Sequence, residues 1–206
     1  MYNQEKFSLM VHFIFVTGQS GSGKDTFCKK LYSHISSKNP DCLLIVNGDL
    51  IRAHANKPGY LSQCITENNA TGNLAPGFVM GMLVGNEFLE KMTKNSIVIW
   101  NGSPRPEKDR WGLPEMITFL KAEAEIFVLE ATDATCLRRM KKRNKTQNRP
   151  ESNTAASLAN KLAFYHRETE PLIPFFQSHP LFTVHRINAE QSEKKVFSDG
   201  LKALSK

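Results

Sequence analysis

Residues 13–24 read Phe-Ile-Phe-Val-Thr-Gly-Gln-Ser-Gly-Ser-Gly-Lys, and the fold turns on that line. A short apolar β-type run, Phe13 to Val16, meets a glycine-rich turn, then Lys24, then a helix-like stretch beginning at Asp25. Strand, loop and helix in this order make a Gly/Lys pattern a phosphate-binding loop. Gly18, Gly21 and Gly23, with Ser22 among them, let the backbone curl until successive N–H groups point inward. The helix start adds its positive dipole end, and Lys24 supplies a mobile charge for a phosphate chain. The strict pattern has Ser or Thr directly after the lysine. Asp25 stands there instead, and Thr26 brings the hydroxyl one place late. A flexible strand-to-helix turn is the competing reading, and it does not require Lys24.

Composition sets wide bounds. A chain of 206 residues, 40% hydrophobic, is long enough to bury one core as a single domain. Its formal charge of +7 favours anionic partners: nucleotides, nucleic acid or an acidic membrane surface. Cys28, Cys42, Cys64 and Cys136 lack C-x-x-C spacing, which reads as reduced thiols of a cytoplasmic protein. The apolar run Leu9 to Val16 is too short to span a membrane and is read as the first strand.

Further strand-like runs occur at Leu43–Val46, Ile97–Trp100, Ile126–Leu129 and Leu181–Ile187. Helical patterning fills roughly 26–37, 76–94, 109–122, 133–143, 153–177 and 191–205. Asp133 and Ser192 are the expected N-caps of two of these helices. The stretches 54–75 and 144–152 carry the least pattern and read as irregular. Alternating strands and helices predict a parallel sheet covered on both faces, with ligands at the carboxyl ends of its strands.

The residues that follow those strand ends carry the chemistry. After the second come Asn47, Gly48, Asp49 and Arg52; after the third, Asn101, Gly102, Ser103, Pro104 and Arg105. After the fourth, Arg139 and Arg143 share a helix face, and Arg149 and Lys161 lie beyond the second irregular stretch. Phosphoryl transfer needs such convergence, because the migrating group spreads negative charge over its oxygens.

Over nearly its full length the chain resembles the adenylate kinase family of nucleoside monophosphate kinases. The phosphate loop Gly18–Thr26 is similar, and the late threonine is common in that family. Gly48, Asp49 and Arg52 resemble its Gly-Asp-x-x-Arg element, and Asn101–Arg105 its Asp-Gly-Phe-Pro-Arg element. Arg139 and Arg143 stand where it has two lid-base arginines. Lys161–Ile173 is similar to its Arg-Leu-x-x-Tyr-x-x-x-Thr-x-Pro-Leu-Ile segment.

The resemblance implies a three-layer α/β P-loop NTPase fold around a five-stranded parallel sheet. It also implies a monophosphate-binding flap at 47–76 and a short lid at 144–152. It implies ATP with Mg2+ as donor, and a nucleoside monophosphate as acceptor, AMP first, then CMP or UMP. Gly18, Gly21, Ser22, Gly23, Lys24, Asp25 and Thr26 would grip the donor, with Arg139 and Arg143 neutralising the moving group. Arg149 and Lys161 would help from the lid. Asn47, Gly48, Asp49, Arg52, Asn73, Leu74, Ala75, Gly102, Ser103, Arg105 and Asp109 would bind the acceptor. Thr26 and, through water, Asn101 would hold the metal. A monomer is expected on the same ground; no nucleic acid is expected as partner, because the cations fall after strand ends and not in one basic run or aromatic-interleaved patch, and no membrane.

Four departures qualify the match. Asn101 replaces the family's metal-side aspartate, which leaves weaker metal binding or compensation by Asp25 as alternatives. Ser103 replaces a phenylalanine. Asp109 falls where the family reads the base with glutamine; a carboxylate only accepts hydrogen bonds, and AMP, CMP and GMP all offer a donor. Lys161 puts a point charge where a planar fork is usual. The lid, five residues between Arg143 and Arg149, has no room for a zinc-bearing domain. Plainer readings remain beside these roles. Arg139 and Arg143, with Arg138, Lys141 and Lys142, would also make a solvated basic face. Asp49 would cap the helix carrying Arg52. Phe164, Tyr165, Phe175 and Phe176 read as core, His166 as surface, and Trp111 as a residue within reach of a base. The rival functions are a nucleoside, dephospho-coenzyme A or sugar-acid kinase, with Asp49 as its base, and a non-catalytic nucleotide-gated nucleic-acid-binding protein.

Overall fold

A computed structural model describes residues 10–70, 73–146 and 154–204. Strands β1 (His12–Thr17), β2 (Cys42–Val46), β3 (Ile97–Asn101), β4 (Glu123–Glu130) and β5 (Thr183–Asn188) form one sheet. Its order is β2-β3-β1-β4-β5, and every pairing is parallel. β1 lies between β3 and β4 and is buried throughout, which is why its sequence is a continuous apolar run.

Side chains of β1 alternate between two cores. Ile14 and Val16 face α1 (Lys24–Ser36) and α9 (Glu193–Leu204), where Phe27, Leu31, Ile35, Val196 and Leu204 close over them. Phe13 and Phe15 face the opposite layer, formed by α4 (Gly77–Lys91), α5 (Asp109–Leu120) and α8 (Leu172–Ser178). Val84, Leu113, Ile117, Leu172, Ile173 and Phe176 complete that side. Each fully buried side chain of this size contributes about 1.5–3 kcal/mol, so these two layers dominate stability. The result is the three-layer α/β architecture the alternation predicts.

Two smaller cores sit off the sheet. Ile51 of α2 (Asn47–Ala55), Ile65 of α3 (Tyr60–Ala70) and Val79 and Leu83 of α4 pack together. Cys136 and Met140 of α6 (Asp133–Thr146) pack on Leu158 and Leu162 of α7 (Ala155–Phe164). A π-helical turn, Tyr165–Thr169, joins α7 towards α8.

Three sequence expectations need correction. The stretch 54–75 contains α3, whose one buried residue, Ile65, leaves no apolar period to read. The long helix expected over 153–177 is α7, the π turn and α8 in series, and it breaks at Pro171. Asp133 does not cap α6: it is the first helical residue, and its carboxylate accepts from Gln19 Nε2 at 2.8 Å. Thr132, the residue before it, takes the capping role, its hydroxyl oxygen accepting from the Thr135 N–H at 3.3 Å, and Glu190 holds Thr132 by accepting from its N–H at 2.6 Å. Ser192 precedes α9 as expected, its hydroxyl 3.4 Å from the Lys195 nitrogen. Of the expected lid, α6 carries 144–146, while 147–152, with Arg149, lie outside the described residues.

Candidate active site

The loop after β1 is held by close backbone approaches. A Cβ on Gly18 would stand 2.4 Å from the Leu129 carbonyl oxygen, and one on Gly21 2.5 Å from that of Cys136. Gly18, Gly21 and Gly23 all adopt left-handed φ, at 137°, 90° and 103°. The loop therefore seats against β4 and the first turn of α6. Lys24 opens α1 and folds back, donating to the Gly18 and Gln19 carbonyls at 2.7 Å each. Enclosure of the ammonium, aided by repulsion from Arg105, lowers the Lys24 pKa to about 8.

Arg139 spans the gap from α6, donating to the Ser22 carbonyl at 3.3 Å and to Ala189 at 2.9 Å. Arg143, one turn on, lies 3.7 Å from the Asp25 carboxylate. The basic face of α6 is thus divided: Arg139 and Arg143 line a cleft, Arg138 and Lys141 line a separate groove, and Lys142 borders both.

At the end of β3 the Gly102 nitrogen donates to the Val16 carbonyl at 2.9 Å, and Thr17 Oγ1 donates to Pro104 at 2.6 Å. These bonds tie the Asn101–Arg105 turn to the strand that feeds the phosphate loop. Thr169 supports Arg105 from behind through its carbonyl at 2.7 Å, and the guanidinium lies 5.8 Å over the Phe164 ring. Burial lowers the Arg105 pKa to about 10. Asp109 accepts from the Arg105 N–H at 2.7 Å; burial pushes its own pKa up to about 6, against that bond and the one from Ser103. Asn47 bridges the walls, accepting from Trp100 Nε1 at 2.7 Å and donating to the Gly102 carbonyl at 2.9 Å.

Lys24, Arg105, Asp109, Arg139, Arg143 and Asn47 border one cleft of about 1270 Å³. It is lined by Gly21, Ser22, Gly23, Lys24, Asp25 and Thr26 at the loop, and by Arg139, Arg143 and Lys161. Asn47, Gly48, Arg52, Asn73, Leu74, Ala75, Asn101, Gly102, Ser103, Arg105 and Asp109 line it as well. Gly18 and Asp49 do not. Gly18 serves the loop from behind, and Asp49, in the first turn of α2, pairs with Arg52. A single drug-sized ligand needs about 300–1000 Å³, so this volume leaves room for more than one.

Several walls had no motif to announce them. Met80, Gly81, Val84, Gly85 and Phe88 of α4, and Gly112 and Met116 of α5, line the cleft. Space is open where a Cβ would stand on Gly81, Gly85 and Gly112. The signal was the fourfold spacing of Gly77, Gly81 and Gly85 on one helix face. Trp111, read as within reach of a base, is 71% exposed and does not border the cleft. His166 is exposed and pairs with Asp133 and Glu170, so it reads as surface. Tyr165 and Phe176 are core, whereas Phe164 lines the cleft.

Known proteins match this chain at the scale of the whole fold. The family described as "AAA domain" matches residues 17–157. Adenylate kinase isoenzyme 1 of Sus scrofa is 28% identical over 196 residues, covering 90% of each chain. The proteins of the same name from Cyprinus carpio and Homo sapiens are 26% and 27% identical, covering 93% and 90% of each chain. The chain belongs to the AAA domain family that matches residues 17–157, and its likeness to adenylate kinases over about nine tenths of its length makes it an adenylate kinase family member, a nucleoside monophosphate kinase.

Proposed function

We propose that the protein moves the γ-phosphoryl group of ATP, bound with Mg2+, to the phosphate of a nucleoside monophosphate, yielding two diphosphates. AMP is the favoured acceptor, followed by CMP and UMP. One observation carries this reading: a single cleft joins a phosphate loop to Arg52 and Arg105, two cations that a phosphorylated acceptor requires. A hydroxyl acceptor would need a carboxylate base. Asp49, the residue suited to that role, is paired with Arg52 and lies off the cleft wall.

Lys24 leaves its loop carbonyls to hold the donor phosphates, and the loop amides hold the rest of the chain. Arg139 and Arg143, with Arg149 and Lys161, offset the charge that develops on the moving group. Arg52 and Arg105 keep the acceptor phosphate in line, and Asn73, Leu74, Ala75 and Asp109 border its ribose and base. No general base is required, because the acceptor oxygen is already anionic. Thr26 and Asp25 are hard oxygen donors beside Lys24, a set that suits Mg2+, with Asn101 next to them. When bound, Mg2+ would supply neutralisation of the charge that develops on the donor phosphates. Residues 47–76 form the monophosphate flap and 144–152 a short lid; both close to keep water from the phosphoryl group.

The protein acts as a cytoplasmic monomer without nucleic acid. Among the described residues no helix is long and apolar enough to cross a membrane. Burial raises the thiol pKa values of Cys42 to about 12 and Cys136 to about 11, which makes these cysteines inert. The test is purified protein with ATP and Mg2+ against AMP, CMP, UMP, GMP, dTMP and no acceptor. ADP formation that requires a monophosphate, fastest with AMP, is expected. Equal ADP formation without acceptor contradicts the proposal.

A further inference from the structure

Asp25 poses an electrostatic problem. It sits in the first turn of α1, directly after Lys24, where the donor's phosphates are drawn. A carboxylate there repels a polyphosphate anion and opposes the attraction of the lysine and loop amides. Yet the structure fixes it in place. Asn101, at the end of β3 and 3% exposed, donates from Nδ2 to Asp25 Oδ1 at 2.8 Å. The register of β1 with β3 sets Asn101 beside Val16, so the residue is anchored in the sheet at its carboxyl end. The other oxygen, Oδ2, faces Arg143 Nη1 at 3.7 Å, beyond ordinary hydrogen-bond length. The carboxylate keeps 41% of its side-chain surface exposed, and Asp25 and Thr26 both border the cleft.

None of the other carboxylates on the cleft wall adjoins Lys24 in sequence. Asp109 accepts from the Arg105 N–H, Glu193 pairs with Lys30, and Glu168 pairs with Arg167. Asp25 is the one next to the phosphate-loop lysine. A fixed anion beside a phosphate site favours ligand only when a cation stands between the two. Divalent ions held by carboxylates and phosphates together have that arrangement, with waters filling the remaining positions.

We propose that Asp25, oriented by Asn101, makes donor binding conditional on a divalent cation: metal-free nucleotide is repelled, and the magnesium complex is accepted. With that complex bound, Asp25 would serve the cation in place of Arg143, leaving Arg143 for the phosphates. This inference rests on the proposed donor site at the phosphate loop.

The test is calorimetric binding of adenylyl imidodiphosphate, a non-hydrolysable ATP analogue, with Mg2+ and with EDTA, so no turnover enters the readout. For the native protein, Mg2+ is expected to tighten binding by about 30-fold, which is about 2 kcal/mol of coupling. Asp25→Asn is expected to bind the metal-free analogue more tightly than the native protein does, with the Mg2+ effect reduced to about threefold. Asp25→Glu, which keeps the charge, retains discrimination. Asn101→Leu, which cannot donate, narrows the Mg2+ effect without strengthening metal-free binding to the level of Asp25→Asn. A Mg2+ effect unchanged in Asp25→Asn overturns this inference and leaves the donor site standing. No binding by the native protein in either condition overturns the donor site, and the inference with it.

Discussion

Lys24 is the residue on which the chemistry depends, and its surroundings explain its behaviour without ligand. Its ammonium satisfies two loop carbonyls while burial and Arg105 push its pKa down to about 8. The sign follows directly. Between about pH 8 and the ordinary lysine value of 10.5, the unfolded chain holds a proton that the folded protein has lost. Stability of the unliganded protein therefore gains from this group as pH rises through that window, and the penalty is full below it. Binding behaves oppositely: donor affinity should fall above about pH 8, well before a free lysine titrates. Calorimetry of Mg2+-nucleotide binding from pH 7 to 9.5 checks this, and a flat affinity across the range contradicts it. Lys24→Ala and Arg105→Ala should each lower turnover by about 10³-fold or more, the scale of phosphate-clamping cations in this chemistry. Near-normal turnover of either folded variant would remove that residue from its role.

Elements were legible in the sequence to the extent that burial is one-sided and periodic. β1, buried on both faces, is a continuous apolar run, and α1 shows its buried side at Phe27, Leu31 and Ile35. α3 was illegible because it buries only Ile65 and has no strong period. The π turn was hidden because Tyr165–Thr169 continues a helical pattern, and only its bonding differs. Asp133 misled because Thr132 and Asp133 are both capping residue types side by side, and the helix starts one residue earlier than expected, with Thr132 as its cap. Packing between elements gives a sharp test at Gly200. A Cβ there would stand 2.4 Å from Phe27 Cε2 in the α1–α9 interface. Gly→Ala gains about 1 kcal/mol of helix propensity, but overpacking a core costs about 1–3 kcal/mol. Gly200→Ala should therefore destabilise on balance, by roughly 1 kcal/mol in urea unfolding, with kcat unchanged at 25 °C. Increased stability would mean that α9 packs more loosely than the contact implies.

At the scale of the whole molecule, site residues came from strand ends far apart in the chain, and the sheet order gathered them. β1 lies between β3 and β4, so the phosphate loop, the Asn101–Arg105 turn and the arginines of α6 open onto one edge. Motifs that bind backbone or phosphate were readable because few residue types serve them. The apolar wall built from Met80, Val84, Gly85, Phe88, Gly112 and Met116 was not, because core and cleft use the same side chains. The central claim is that this cleft seats a donor and an acceptor together. Calorimetric titration of Mg2+-adenylyl imidodiphosphate into protein saturated with AMP tests it most directly. The account predicts one further equivalent bound at undiminished affinity, lost in Lys24→Ala but kept in Arg105→Ala. Competition between the two ligands for one site would contradict it.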